Sequence, residues 1–138
     1  HAECAIFREA VQKADGQDIA RLRENVEQQK LRLQQGDLDR YMELDNAFHK
    51  LLYFAARKPW TWATVMRIVT HHDRVRRLQV RLGTEQLWPA HEEHCELLRA
   101  VMTRSERNMD GFLHDHLTAG YRGALPELLQ RYPDYFAV

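Results

Sequence analysis

The stretch Tyr41-Met42-Glu43-Leu44-Asp45-Asn46-Ala47-Phe48-His49-Lys50-Leu51-Leu52-Tyr53-Phe54-Ala55 decides how the chain is read. Its apolar residues Tyr41, Leu44, Phe48, Leu51, Leu52 and Ala55 recur at helical spacing, which predicts an amphipathic helix. Residues four apart on a helix lie one turn apart on the same face, so Asp45 and His49 point the same way. Phe48 and Leu52 share that face and turn the pair toward a core. A carboxylate and an imidazole aimed into an apolar interior need polar partners, because burying them unsatisfied is costly. His94 and His116 are the candidates to supply them.

The chain has 138 residues, enough for one domain with a real core and too few for two comfortable ones. Lys+Arg and Asp+Glu are both 20, so the formal net charge is zero. That balance argues against a nucleic-acid grip formed by this piece alone, since phosphate binding draws on a basic excess. No apolar run approaches membrane-spanning length and no signal-peptide pattern opens the sequence, so a cytoplasmic protein without a membrane partner is expected. Cys4 and Cys95 form no CxxC pair and suggest reduced thiols rather than a disulfide framework. The first residue is His and the text opens inside a helical pattern. A preceding segment with a function of its own is therefore expected.

Periodicity and punctuation divide the chain into about six helices. Residues 3–14 place Ile6, Ala10 and Val11 on one face, and Asp15-Gly16 breaks that helix. Residues 17–35 resume with Ile19, Leu22, Val26 and Leu33, and Gly36 closes them as a C-terminal cap. Asp37 is a good N-cap for the third helix, which is expected to reach about Arg57. Pro59 suits the first position of a fourth helix over about 60–82, ended by Gly83. A fifth opens at Thr84 or Glu85, or nearer residue 88 because of Pro89, and runs to about Arg104. Ser105 is the N-cap candidate for a sixth from Glu106, which Gly120, Gly123 and Pro126 interrupt or restart. No segment alternates like a strand, so the fold class is all-α: a bundle of about six helices whose short loops favour antiparallel neighbours.

Bundles build metal sites from inward side chains on facing helices. Of eight histidines, His94 shares its helix with Leu98 and Val101, and His116 follows Phe112 and Leu113 by one turn. Both are candidates for the inner face. His114 points elsewhere, and His91 is close enough to His94 to neighbour it. Three imidazoles and one carboxylate make a mixed nitrogen and oxygen set that suits Zn, Cu, Fe or Ni. They could close a tetrahedron or leave positions open on an octahedral ion. Against this, a histidine on an apolar face is more often a hydrogen-bonded core residue than a ligand, and Asp-x3-His recurs by chance.

Several ordered motifs carry a family resemblance. Leu44-Asp45-Asn46-Ala47-Phe48-His49 resembles a D-x-x-F-H segment, and Glu93-His94-Cys95-Glu96-Leu97-Leu98 an E-H-x-x-[IL]-[IL] segment. His116-Leu117 follows His94 by 22 residues, and Gly36-Asp37 precedes the third helix. Together these resemble the FCD domain, the effector-binding C-terminal domain of FadR-type regulators in the GntR family, over nearly all of residues 3–125. The six-helix layout is similar to the VanR-like subgroup. Lys58-Pro59 replaces the family's usual Asn-Pro, and Ser105-Glu106 or Arg104-Ser105 its Gly-Asp. The resemblance implies an antiparallel bundle around a central metal and ligand cavity, a ligand-sensing, homodimerising domain and no enzyme activity. It implies a divalent metal on Asp45, His49, His94 and His116, zinc first, with nickel, manganese or iron as alternatives. It also implies DNA contact only through a winged helix-turn-helix domain outside residues 1–138.

A metal with open positions in an apolar cavity attracts anionic oxygen, so a small organic acid is the expected effector. Arg67, Arg74 and Arg81 form one stripe of the fourth helix with Arg77 beside it. A guanidinium holds a carboxylate with two parallel hydrogen bonds. Most of these arginines read as a solvated face, and Arg74 and Arg77 are the candidates to bind effector. Trp60, Trp62, Trp88 and Tyr53 could serve an interface or the core equally well. His71-His72-Asp73 raises a rival reading as an HD-type metal-dependent phosphohydrolase. Other rivals are a non-haem iron oxygenase, which the all-α pattern disfavours, and a metal-free dimerisation bundle.

Overall fold

Helix ends, more than helix middles, explain how this chain closes on itself. A computed structural model describes residues 2–68, 85 and 87–105. The described residues carry five helices and no strand: α1 (Ala2–Lys13), α2 (Gly16–Gln34), α3 (Leu38–Ala55), α4 (Pro59–Ile68) and α5 (Trp88–Thr103). The all-α expectation holds. The distal half of the expected fourth helix, with Arg74 and Arg77, lies outside the described residues. So does the expected sixth helix with His116.

Asp15 does more than break α1. Its carboxylate accepts from the Asp18 N–H at 2.8 Å, and the Asp18 carboxylate accepts from the Asp15 N–H at 2.9 Å. This reciprocal capping box starts α2 at Gly16, one residue before the expected start. At the other end, Gly36 has φ +69°, a left-handed conformation that only glycine adopts without steric cost. The Gly36 N–H donates to Leu33 O and the Asp37 N–H to Arg32 O, a Schellman closure. Asp37 then caps α3 by accepting from the Arg40 N–H.

α3 ends at Ala55, two residues short of the expected Arg57, because Arg57 is itself left-handed at φ 64°. The Arg57 N–H donates to Phe54 O and the Lys58 N–H to Tyr53 O, repeating the closure that follows α2. α4 begins at Pro59 as expected. α5 begins at Trp88 with Pro89 in its first turn, where a missing N–H costs nothing. It ends at Thr103, since Arg104 is left-handed at φ 55°. Ser105, expected to cap a following helix, donates its N–H back to Ala100 O.

The two left-handed arginines converge on one corner. Arg57 donates to Asp18 Oδ2 at 2.9 Å, to Asp15 Oδ2 at 3.3 Å and to Lys13 O at 3.4 Å. Arg104 donates to Val11 O at 2.7 Å and to Ala14 O. Carbonyls at a helix C-terminus lack intrahelical partners and carry the negative end of the dipole, so guanidiniums suit them. The ends of α3 and α5 are thereby tied to the end of α1. The Asp18 N–H bond, aided by Arg57, holds the Asp15 carboxyl below its ordinary range.

One core cluster joins Phe7, Ala10 and Val11 of α1, Leu22 and Val26 of α2, Phe48 and Leu52 of α3, and Leu97 and Val101 of α5. Tyr53 belongs to it and packs against the half-buried Trp62, ring centroids 5.3 Å apart. Trp60, by contrast, is 67% exposed. A smaller cluster holds Leu33, Tyr41 and Leu87. Asp45 falls between the two, one turn beyond Tyr41 and just before Phe48.

Two helix closures give a paired prediction. A Cβ at Gly36 meets nothing within 4 Å, so Gly36→Ala costs only backbone strain, about 1 kcal/mol. Arg57→Gly removes strain of similar size but loses the guanidinium contacts, and Arg57→Ala loses the contacts while keeping the strain. Urea denaturation is expected to rank Arg57→Ala below Arg57→Gly in stability by about 1 kcal/mol.

Candidate metal centre

A fully buried imidazole organises this site. His94 on α5 has no exposed side-chain surface, and its Nε2 lies 3.1 Å from Asp45 Oδ1 of α3. His49 Nε2, one turn along α3, lies 3.4 Å from the same oxygen. The Asp45 and His49 side chains are 13% and 12% exposed. One ligand atom from each of the three residues falls within 4.8 Å of the other two. The i, i+4 spacing on α3 and the phase of α5 therefore bring Asp45, His49 and His94 together. His116, Arg74 and Arg77, together with the rival His71-His72-Asp73, lie outside the described residues.

The wall of the site is aromatic. The Phe48 ring packs on His94 with centroids 4.5 Å apart, and His49 meets His94 edge-on at 5.5 Å. These contacts restrict rotation of both imidazoles and lower the local dielectric, which strengthens any charge interaction there.

Two buried amides of α2 complete the surroundings. The Asn25 Nδ2 donates to Leu44 O at 2.9 Å, and Gln29 Nε2 donates to Asn25 Oδ1 at 2.7 Å. Gln29 Oε1 lies 2.8 Å from His94 Nδ1 and 3.1 Å from His91 Nδ1. Gln29 is fully buried and Asn25 nearly so. His91 closes the row, with its Nε2 3.7 Å from Cys95 Sγ and its ring edge-on to Trp88. Cys95 is a free thiol, and burial raises its pKa above the ordinary value.

The donor set fits a divalent transition ion. Neutral imidazole Nε2 and carboxylate oxygen are ordinary ligands of zinc, nickel, iron and manganese, and two helices present them to one point. A carboxylate facing two ring nitrogens is matched either by an imidazole N–H or by a cation held between them. Periodicity placed Asp45, His49 and His94 on inward faces, which the fold brings together. It did not reach Asn25 and Gln29, although both share the spacing of Leu22, Val26 and Leu33 along α2. Two amides four apart within an apolar stripe were the available signal.

Burial lowers the His91 pKa from its ordinary 6.5, with Lys30 adding to the effect and Glu92 opposing it. The unfolded chain then binds more protons than the folded chain once pH falls below 6.5. Stability from this group is fully present above 6.5 and is lost as pH falls toward the lowered folded value. Urea midpoints measured between about pH 7 and about pH 5 should therefore fall, and His91→Gln should flatten part of that slope.

The chain matches the FCD domain family over residues 3–119. It is 26% identical over 118 residues to the HTH-type transcriptional repressor RspR of Escherichia coli (strain K12), covering 83% of this chain and 50% of that protein. The Uncharacterized HTH-type transcriptional regulator YdfH of Shigella flexneri matches with the same identity and coverage. The chain thus spans about half the length of these curated relatives. No solved structure gave a significant match. Among the described residues no helix is long and apolar enough to cross a membrane.

Proposed function

Because the chain belongs to the FCD domain family, whose members are regulatory effector-binding units and not enzymes, we propose that it senses a small organic acid at a divalent metal held by Asp45, His49, His94 and His116. The family sets aside the phosphohydrolase and oxygenase readings. The observation that carries the metal reading is the Asp45 carboxylate, whose Oδ1 faces His94 Nε2 at 3.1 Å and His49 Nε2 at 3.4 Å. Zinc is the first choice, with nickel, manganese and iron as alternatives. When bound with an open position, the ion supplies Lewis acidity toward an anionic oxygen.

The chain's own residues do the rest. Asp45 and His49 hold the α3 side of the centre, and His94 holds the α5 side. Phe48 excludes water from the face of His94. His116 adds a third imidazole, and Arg74 with Arg77 receives the effector's carboxylate. Effector binding then draws helices together and shifts the population of dimer geometries. A homodimer in the cytoplasm, with DNA contact through a separate helix-turn-helix domain as in the relatives named above, completes the reading. The layout proposed is that of the VanR-like subgroup.

Elemental analysis of the chain purified without added metal or chelator tests this. About one divalent ion per chain is expected in the native protein. His94→Ala and His116→Ala should each lose it, while Arg74→Ala should keep it. Equal metal in all four proteins would rule out the four-ligand centre. A native chain that is folded and free of metal would leave a metal-free bundle as the better account.

A further inference from the structure

The amide pair on α2 is anchored in a way that assigns every proton in the row. Leu44 O is a main-chain carbonyl and can only accept, so the Asn25 group at 2.9 Å from it is the NH2. Asn25 Oδ1 then faces Gln29, whose NH2 must donate to it at 2.7 Å. That leaves Gln29 Oε1 aimed at His94 Nδ1 at 2.8 Å and at His91 Nδ1 at 3.1 Å. An amide oxygen has two lone pairs and no proton, so both ring nitrogens are N–H donors to it. With its Nδ1 protonated, the neutral His94 ring carries its lone pair on Nε2, the atom that faces Asp45. Turning either amide over would set carbonyl against carbonyl at one end of the row.

We infer that Gln29 is a positioning residue of the metal centre. Anchored through Asn25 to the Leu44 carbonyl, it fixes His94 in the Nδ1–H tautomer, so that Nε2 is presented as a ligand. The inference rests on the metal reading above and extends it to α2, which contributes no ligand. Metal-bound histidines commonly donate their other ring N–H to an oxygen that sets tautomer and ring angle, and losing that oxygen lowers metal affinity about 10–100-fold. The anchor lies beside a ligand in sequence: Leu44 immediately precedes Asp45. One main-chain segment of α3 thus presents the carboxylate directly and orients the opposing imidazole through two amides.

The test uses the full chain, with zinc ion as the probe, and compares Gln29→Met, which keeps the length and removes the acceptor, with Gln29→Glu, which keeps an oxygen there. Nitrogen-15 spectra of the imidazoles are recorded without metal, and zinc affinity is measured by competition with a chelator. The native chain is expected to show His94 as Nδ1–H. Gln29→Met should shift it toward the Nε2–H form and weaken zinc about 10–100-fold. Gln29→Glu should restore the Nδ1–H form and most of the affinity. Where Gln29→Met does not fold, Asn25→Leu takes its place, since it removes the anchor alone and should give mixed tautomers. His94 remaining Nδ1–H without the acceptor, or zinc affinity unchanged within about threefold, would overturn the role given to Gln29. A native chain that takes up no zinc would overturn the metal reading instead, and the metal-free spectra would still decide whether Gln29 orients His94.

Discussion

An imidazole removed wholly from water is the constraint on which this arrangement depends. His94 has no exposed surface, and burying a polar ring without partners costs several times what one hydrogen bond contributes. Its two ring nitrogens face different helices, Nδ1 the Gln29 amide oxygen of α2 and Nε2 the Asp45 carboxylate of α3. The hydrophobic contacts of Phe48, Leu97 and Val101 bring these helices near one another, but such contacts are non-directional. The polar row supplies direction. It selects one rotation of α2 and one axial position of α5 against α3, because hydrogen bonds near 2.8 Å tolerate little sliding.

The chemistry of the centre follows from that packing. A carboxylate placed between two imidazoles is poorly suited to a neutral core and well suited to positive charge. The FCD family membership supplies the regulatory context, and the geometry supplies a reason for the ligand types. Rigid ligands on two helices make a metal centre sensitive to helix spacing. A ligand at such an ion would in turn alter that spacing.

Much of this was legible in the chain's periodicity. Asp45 and His49 were placed on one inward face by their spacing from Phe48 and Leu52, and His94 by its phase against Val101. Gly36, Asp37 and Pro59 marked boundaries because each has a conformational or capping preference that acts locally. The end of α3 was placed two residues too far because Arg57, like Arg104 just past α5, adopts a left-handed backbone that arginine does not favour on its own. Contacts with carbonyls of α1, made by residues 44 and 93 positions away, offset that local cost. Asn25 and Gln29 were hidden for the same reason. Their burial is decided by partners on α3 and α5, and amides in an isolated helix read as surface.

The corner where Arg57 and Arg104 meet has a mechanical consequence. Arg57 sits just past the helix that carries Asp45 and His49, and Arg104 just past the one that carries His94. Both grip the final turn of α1. α1 is therefore tied through its C-terminal turn to both helices of the site at once. A shift of α3 against α5 too small to disturb the core displaces the two grips relative to each other.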